Sequence, residues 1–272
     1  MSDEPSKRLA AAEAERDAAR QQLVAREGIL NIVAHDLRGP LSLVKMGAGM
    51  LDRMCRGEHL EGPKVQEVAT SLASAVRRME RMIADLLDLE ALDQGSLRIV
   101  KASVDAVRVV DEVAQEMRAL AEPKGVEVVA ERPKHAIVVN ADRDRIAQVL
   151  ENLASNAIRH TPSGKRVTLR VVAKGGEARF EVIDQGPGIS EHDLRHIFEP
   201  FFRSTTVKGR GLGLGLSIAL GLVRAHDGAL WAESEPGHGA TFVFAMPQRL
   251  ITRDTIEMRA IDIPGLLQKL AK

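Results

Sequence analysis

The sequence predicts an α+β protein in which an N-terminal helical hairpin is followed by a mixed α/β domain. Up to about residue 94, apolar residues recur at three- and four-residue steps, with few signals for strands. After Gly95, strand-like segments alternate with helical ones. The composition agrees, because six Phe, one Trp and no Tyr leave the core to Leu, Val, Ile, Ala and Met, which suit long packed helices.

Length and charge limit the possible classes of function. The 272 residues allow one or two domains, and 38 basic residues balance 38 acidic ones. Proteins that bind long nucleic acids usually carry a basic excess, so we expect no nucleic-acid partner. No apolar run reaches the ~20 residues that span a bilayer, so we expect no membrane segment. Cys55 is the only cysteine and no signal peptide opens the chain, which together predict a cytoplasmic protein.

The N-terminal hairpin is predicted from helical patterns and the turn between them. Residues 1–27 carry a heptad seam interrupted by arginines, which favours a coiled-coil-like helix over a frayed, solvated one. Residues 28–94 contain two helices joined by a turn at Arg56–Pro63, and Gly95 ends the second helix near Leu92. Two helices of about 30 residues cannot bury their apolar faces alone, so we expect a homodimer built on a four-helix bundle.

Residues 95–247 are predicted to form a mixed sheet covered by helices, and residues 248–272 a tail without an assigned role. Asp105 and Asp142 stand at expected helix N-cap positions. The expected strands are Leu97–Lys101, Val126–Ala130, Ile137–Val139, Val167–Ala173, Arg179–Asp184, Ala229–Glu233 and Ala240–Ala245. The expected helices are Asp105–Ala121, Asp142–His160 and Leu214–His226.

His35 is a candidate nucleophile because of its neighbours. Asp36 can hold the imidazole in one tautomer and accept its proton, which leaves the other ring nitrogen nucleophilic. Consecutive helical side chains point about 100° apart, so this contact would be sidelong. Pro40 bends the helix one turn later, since it has no backbone N–H to donate. The alternative is a structural histidine, the usual role of a lone His in a helix.

A second candidate site lies on the helix that follows Asp142. Asn152 and Asn156 are four residues apart and therefore share one helix face. Their amide oxygens can ligate Mg²⁺ while phosphates balance its charge, and Asn156 is the predicted metal ligand. Arg159 and His160 follow one turn later, where they can meet phosphate or ribose oxygens. The alternative is an ordinary polar helix face.

Glycine-rich segments complete this candidate nucleotide site. Asp184 can accept a hydrogen bond from the exocyclic amine of adenine, and Gly186 and Gly188 let the backbone approach the ring. Thr241 offers a hydroxyl at the start of the last strand, and Phe202 belongs to a cluster that could fasten a mobile glycine-rich lid.

The lid itself is predicted from alternating glycines. Gly211, Gly213 and Gly215 precede a helix, where backbone N–H groups and the helix dipole can hold phosphate. Their spacing fits neither a Rossmann fingerprint nor a P-loop.

Taken in order, these motifs resemble those of the bacterial sensor histidine kinases, over residues 28–247. The resemblance implies a dimerisation and histidine-phosphotransfer hairpin at 28–94, followed at 95–247 by a Bergerat-type α/β-sandwich ATP-binding domain. The matching segments are His35–Leu41 for the H-box, Asn152–His160 for the N-box, Asp184–Gly188, Gly211–Gly215 and Gly237–Thr241 for the G-boxes, and Phe198–Phe202 for the F-box.

The resemblance also implies an activity and partners. With ATP and Mg²⁺ as cofactors, the chain would phosphorylate its own His35 and pass the phosphoryl group to an aspartate of a response regulator receiver domain. From their location in the glycine-rich lid, Lys208 and Arg210 are expected to neutralise charge on the phosphates. Only 27 residues precede the first bundle helix, so we expect sensing by an upstream sensor domain or a separate sensor protein.

Two departures from related patterns bear on this expectation. Gly39, which has no side chain, stands where the family usually has Thr or Asn to position water, so the pattern is compatible with the kinase reaction and leaves phosphatase activity toward the regulator open. Asn152 stands where the gyrase and chaperone ATPases carry a water-activating Glu, which favours phosphoryl transfer over hydrolysis. The alternatives are an ATPase without transfer to protein and a nucleotide-binding scaffold.

Overall fold

The structure is a computed structural model that describes residues 33–53, 62–133, 135–204 and 212–248. The expected N-terminal helix at 1–27, most of the turn between the hairpin helices, and the tail beyond Gln248 lie outside these residues. The chain divides into two compact units. The first contains the hairpin together with Pro200–Leu214, and the second contains Leu92–Glu199 and the chain from Gly215 onward.

The hairpin consists of α1, helical over residues 33–53, and α2, Gly62–Asp93. The two helices approach closely at Gly47, where a Cβ would lie 2.7 Å from Cδ2 of Leu72. Gly95 has a φ of 61° and donates its N–H to the carbonyl of Leu92, a left-handed ending typical of helix C-termini. The predicted extent of the second helix is therefore confirmed.

The described hairpin leaves many apolar side chains exposed. A single chain cannot cover both faces of two long amphipathic helices, so these side chains have no cover within the described residues of one hairpin. No helix in the described ranges is long and apolar enough to cross a bilayer. The exposed apolar residues of the hairpin are Leu41, Leu43, Met46, Met50, Val65, Val76, Ile83 and Leu87.

The second unit is an α/β domain with two sheets. The larger is mixed, with strand order β2-β4-β5-β7-β6; β2 runs parallel to β4 and the other neighbours are antiparallel. The smaller pairs β1 with β3. The elements are β1 Ala102–Asp105, α3 Ala106–Ala121, a 3₁₀ turn Glu122–Lys124, β2 Glu127–Glu131, β3 Val138–Ala141, α4 Arg143–His160, β4 Arg166–Lys174, β5 Glu177–Asp184, α5 Glu191–Leu194, α6 Gly215–Ala225, β6 Ala229–Ser234 and β7 Ala240–Pro247.

Local sequence explains these elements. β5 alternates buried and half-buried positions along its whole length, the pattern of a strand with one face on the core. Its Phe180 stacks on Phe244 of β7, with ring centroids 4.4 Å apart. Asp105 and Asp142 accept hydrogen bonds from the first N–H groups of α3 and α4, so both predicted N-caps are confirmed. The predicted fold class, a helical hairpin followed by an α/β domain, is confirmed.

One predicted strand is wrong. Residues 97–101 pair with no neighbouring strand, and β1 begins at Ala102 instead. The N–H of Val100 donates to Oδ2 of Asp142 at 2.9 Å, and Nζ of Lys101 donates to Asp227 at 2.7 Å. The Asp142 carboxylate therefore takes the N–H of Val100 that a ladder partner could have bound, although the apolar and polar alternation is that of a strand.

Candidate functional site

His35 lies on α1 with its imidazole exposed to solvent. Its side chain is 79% exposed and that of Asp36 is 11% exposed, with Nδ1 of His35 and Oδ1 of Asp36 3.1 Å apart. The predicted sidelong contact is therefore present. Within the described residues Oδ2 of Asp36 is buried and has no partner. When Nδ1–H donates to Asp36, Nε2 carries the lone pair, so the accessible nitrogen is the nucleophilic one.

Asn152 and Asn156 lie one turn apart on α4. Nδ2 of Asn152 is buried without a hydrogen-bond partner in the part of the chain that the structure describes. A Cβ at Gly215, the first residue of α6, would lie 3.5 Å from Oδ1 of Asn152. Leaving a buried amide N–H without an acceptor costs the folded protein about 1–3 kcal/mol of free energy. A ligand with acceptor oxygens would therefore fit at this point between α4 and the start of α6.

The C-terminal end of α4 carries positive charge. Lys124 donates from Nζ to the carbonyls of Ile158, at 2.6 Å, and of Arg159, and so caps the helix. Burial, then the Arg159 and Lys124 charges, lower the pKa of His160. Burial, then Arg159, likewise lowers the pKa of the Lys124 ammonium. Lys124 and Arg159 thus place positive charge at this end of α4, next to an imidazole whose neutral form is favoured.

Asp184, at the end of β5, is only 7% exposed. Its Oδ1 accepts two backbone hydrogen bonds, from the N–H of Gly186 at 2.8 Å and of Ala240 at 3.2 Å. Burial raises the pKa of this carboxyl, and the two hydrogen bonds oppose that effect. Because both bonds use Oδ1, Oδ2 is the oxygen that can accept from the amine of a ligand.

The loop after β5 interlocks with the loop between β6 and β7. A Cβ at Gly188 would lie 2.1 Å from the carbonyl oxygen of Glu235, and one at Gly239 2.1 Å from that of Asp184. Both glycines also have positive φ, 74° and 79°, a backbone conformation that favours glycine. The close carbonyl and the backbone conformation each exclude a side chain at these positions. The N–H of Gly237 also donates to the carbonyl of Pro187 at 2.6 Å. The two loops therefore form one backbone-lined wall.

This wall reaches α4 as well. A Cβ at Gly186 would lie 3.1 Å from the carbonyl oxygen of His160. Thr241, in β7, pairs with Ile183 of β5 and Glu233 of β6, beside the end of β5. Of the predicted residues, the structure therefore brings together His160, Asp184, Gly186, Gly188 and Thr241 in the second unit, and places Asn152 against Gly215.

Other predicted residues make contacts within their own units. In the first unit, Phe201 donates its N–H to the carbonyl of Gly213 at 3.0 Å, and a Cβ at Gly213 would lie 2.6 Å from the carbonyl oxygen of Phe202. In the second unit, Phe198 meets Phe242 edge to face at 6.4 Å. The predicted lid residues Lys208, Arg210 and Gly211 lie outside the described residues.

Lys124 lies at the end of α4 beside the candidate site, and the sequence did not single it out. It lies 34 residues before Ile158, whose carbonyl it binds, and no local pattern connects the two. The only sequence signal is its position next to Gly125, which has a φ of 67° and turns the chain back toward α4.

Two protein families match the chain. The family described as histidine kinase-, DNA gyrase B-, and HSP90-like ATPase matches residues 141–250, and the His Kinase A (phospho-acceptor) domain matches residues 25–95. Fold, site and family together define the class: a nucleotide-binding domain of this ATPase type that follows a phospho-acceptor helical hairpin. The chain belongs to the sensor histidine kinases, with a HisKA and a HATPase_c domain.

Several relatives are similar over most of the chain. It is 30% identical to the adaptive-response sensory kinase SasA of Crocosphaera subtropica over 233 residues, which cover 84% of this chain and 60% of SasA. It is 29% identical to the sensor histidine kinase WalK of Bacillus subtilis over 229 residues, 82% of this chain and 37% of WalK. The chain thus spans about three fifths or less of the length of these two relatives.

Two solved structures are similar in fold. Full-length ShkA in complex with AMPPNP superposes with a TM-score of 0.60 at 28% identity, over 82% of this chain and 46% of ShkA. Histidine kinase ThkA in complex with the response regulator protein TrrA superposes with a TM-score of 0.58 at 25% identity, over 87% of this chain and 64% of ThkA.

Proposed function

We propose that the chain is a histidine kinase core that uses ATP to phosphorylate His35 and then donates the phosphoryl group to an aspartate of a response regulator receiver domain. Residues 28–94 would form the phosphotransfer hairpin and residues 95–247 the ATP-binding domain. The observation that carries the proposal is the exposed His35 imidazole, 3.1 Å from the carboxylate of Asp36, in a chain that also holds the buried Asp184 carboxylate beside a glycine wall.

The nucleotide would lie where the wall, the end of α4 and the start of α6 present their polar groups. Oδ2 of Asp184 would accept from the adenine amine, and the unsatisfied Nδ2 of Asn152 would donate to a phosphate oxygen. Arg159 and His160 would contact phosphate or ribose oxygens. The other proposed nucleotide contacts are Gly186, Gly188, Phe202, Lys208, Arg210, Gly211, Gly213, Gly215 and Thr241.

Mg²⁺ would be held by the amide oxygen of Asn156. Its first shell would be completed by phosphate oxygens and water, the usual arrangement for this ion at nucleotides. When bound, Mg²⁺ supplies positive charge that offsets the charge of the phosphates.

The reaction at His35 follows from its tautomer. Nε2 attacks the γ-phosphorus of ATP, the bond from that phosphorus to the bridging oxygen breaks, and ADP leaves with the electron pair. Phosphorylation at Nε2 would leave the ring cationic, and Asp36 can accept the Nδ1 proton to give a neutral phosphorylated imidazole. Asp36 therefore orients the ring before the step and takes the proton after it.

The partners follow from the hairpin and from the relatives. The exposed apolar side chains of α1 and α2 support a homodimer that closes a four-helix bundle. The ThkA structure contains a response regulator, which supports the same class of partner here. We also propose that an upstream sensor domain or a separate sensor protein supplies the signal, and that the chain works in the cytoplasm, as its lone Cys55 suggests.

The experiment is labelling with ATP that carries radioactive γ-phosphate. The wild-type protein should acquire a label that is stable to alkali and lost in acid, as a phosphoramidate is, and His35→Ala should lose it completely. His192→Ala is the matched control, because His192 is also exposed and its Nδ1 lies 3.3 Å from the neighbouring Asp193. A label that persists in His35→Ala contradicts the site, and free phosphate without labelled protein favours the ATPase alternative.

A further inference from the structure

His226, directly after α6, is a buried polar residue that the proposed reaction does not use. Its side chain is 2% exposed. Nε2 accepts the N–H of Asp142 at 3.0 Å, and Nδ1 lies 2.8 Å from the carbonyl oxygen of Leu222. Because a backbone N–H can only donate, Nε2 carries no proton, and Nδ1–H donates to Leu222. The ring therefore joins the end of α6 to the residue before α4.

Asp142 binds two further segments through its carboxylate. Oδ1 accepts from the N–H groups of Asp144 and Arg145 in the first turn of α4, and Oδ2 accepts from Val100 in the segment that leads into β1. Burial alone would raise the pKa of this carboxyl, but the three backbone hydrogen bonds outweigh it and lower the pKa. Asp142 is thus a fixed point to which His226 attaches α6.

The hydrogen bond from the N–H of Asp142 to Nε2 of His226 sets the position of α6 along the axis of α4. Asn152 is ten residues beyond Asp142, about 15 Å along α4, and Gly215 is eleven residues before His226, about 16 Å along α6. The near-equal lengths place Gly215 beside Asn152, in agreement with the 3.5 Å from a Cβ at Gly215 to Oδ1 of Asn152. A slip of α6 by one turn, about 5.4 Å, would separate these two residues.

We propose that His226 is a positioning residue for nucleotide binding. Through its bond to Asp142 it holds the first turn of α6 beside Asn152, so that the N–H groups of that turn and the unsatisfied Nδ2 of Asn152 face the same phosphate oxygens. This inference rests on the proposed nucleotide site between α4 and α6, and it adds a residue that does not touch the nucleotide.

Two variants separate the two hydrogen bonds of the ring. In His226→Gln the amide oxygen reaches the position of Nε2 and can still accept from Asp142, whereas in His226→Asn the shorter amide reaches Nδ1 and can only replace the bond to Leu222. Both variants lose one bond and should show a similar fall in thermal midpoint. The Kd for magnesium-ADP should rise about tenfold in His226→Asn and stay within about twofold of wild type in His226→Gln.

The measurement is calorimetric titration of the full chain, with the KM for ATP and the kcat of autophosphorylation recorded beside it. KM should follow the Kd, while kcat at saturating ATP should change less. Asp227→Asn, at the exposed neighbouring carboxylate that binds Lys101, is the control and should bind like wild type. Equal affinities for the Gln and Asn variants overturn the inference, as does wild-type affinity in His226→Asn.

Asn156→Ala tests the proposed site separately. If it binds magnesium-ADP as wild type does, the site itself is wrong. If it binds weakly while His226→Asn binds normally, the site stands and the role of His226 is wrong. Should His226→Asn fail to fold, a folded His226→Gln with strongly reduced affinity would still overturn the inference, because that variant retains the bond to Asp142.

Discussion

At the scale of single residues, Asp184 uses its two carboxylate oxygens differently. Oδ1 accepts from the N–H groups of Gly186 and Ala240, which fixes the plane of the group. Oδ2 is left as an acceptor, and an acceptor selects the amine of adenine over the carbonyl that guanine carries at the same position. A single oxygen can therefore set the base preference of the proposed site.

Replacing the Oδ2 acceptor of Asp184 with a hydrogen-bond donor should change the preference for adenine over guanine nucleotides. In Asp184→Asn the amide oxygen can keep the two backbone bonds, and the NH₂ group then faces the base. We expect ADP affinity to fall by roughly 10–100-fold, while GDP affinity falls less or rises, because guanine offers an acceptor. Competitive titration with both nucleotides measures the ratio, with Asp111→Asn as a surface control; an unchanged ratio would contradict the role of Oδ2.

The residues that sequence reasoning could find are those with local signals. The N-caps at Asp105 and Asp142 and the contact between His35 and Asp36 involve chain neighbours, so spacing alone predicts them. His226 and Lys124 bind partners 84 and 34 residues away along the chain. No local sequence pattern predicts which residues those partners are. Their roles depend on how the helices pack, which only the folded chain defines.

At the scale of elements, the same distinction explains the strands. Six of the seven expected strands form, because their alternating or continuous apolar residues face a core that helices cover. Residues 97–101 alternate in the same way, but Val100 remains exposed and its N–H donates to Asp142. Periodicity predicts which face a strand would bury, and it cannot predict whether a neighbouring strand is available to pair.

Helix α2 contains a carboxyl group that titrates near neutral pH. Burial, with a smaller contribution from Asp88, raises the pKa of Asp85 from 3.8 to about 6, and Arg81 opposes the shift. The folded chain thus binds the proton more tightly than the unfolded chain. The contribution of Asp85 to the free energy of unfolding should therefore fall as pH rises between 3.8 and about 6, and stay level above that range.

Asp85→Asn should remove this pH dependence. Wild type and variant should be similarly stable near the lower end of the window, and the variant should have the higher thermal midpoint at about pH 7.5, where the wild-type carboxyl is ionised. Thermal unfolding followed by far-ultraviolet circular dichroism across the window measures the effect. Glu80→Gln, at an exposed position of the same helix, should keep the wild-type dependence. Parallel curves for Asp85→Asn and wild type would show that Asp85 is not the titrating group.

At the scale of the whole molecule, the hairpin of a single chain leaves apolar side chains exposed that a bundle would bury. Val76, Ile83 and Leu87 recur at seven- and four-residue steps on α2, and all three are exposed. This is the spacing of a seam that packs against other helices, and a second copy of the hairpin supplies such helices with the same chemistry. Dimer formation should therefore depend on these side chains more than on any apolar residue of the ATP-binding domain.

Ile83→Glu combined with Leu87→Glu should produce a monomer. Each carboxylate would have to be desolvated in a bundle, so we expect the dimer dissociation constant to rise by a factor of at least about 100. Size-exclusion chromatography with light scattering measures the mass, and binding of magnesium-ADP should be retained. Leu120→Glu, at an exposed apolar position of the second unit, is the control. A double variant that remains dimeric would place the interface elsewhere.

Trp231 gives the second unit its own optical signal. It is the only tryptophan of a chain without tyrosine, and it lies on β6, where its indole N–H donates to Glu233 and the guanidinium of Arg179 stands 5.7 Å from its ring centroid. Its fluorescence therefore follows loss of the sheet and is silent on the hairpin, whereas α2 alone contributes 32 helical residues to the dichroism. Tryptophan fluorescence and circular dichroism, recorded on one sample during denaturation, will reveal whether the hairpin and the second unit unfold in one cooperative transition or in succession.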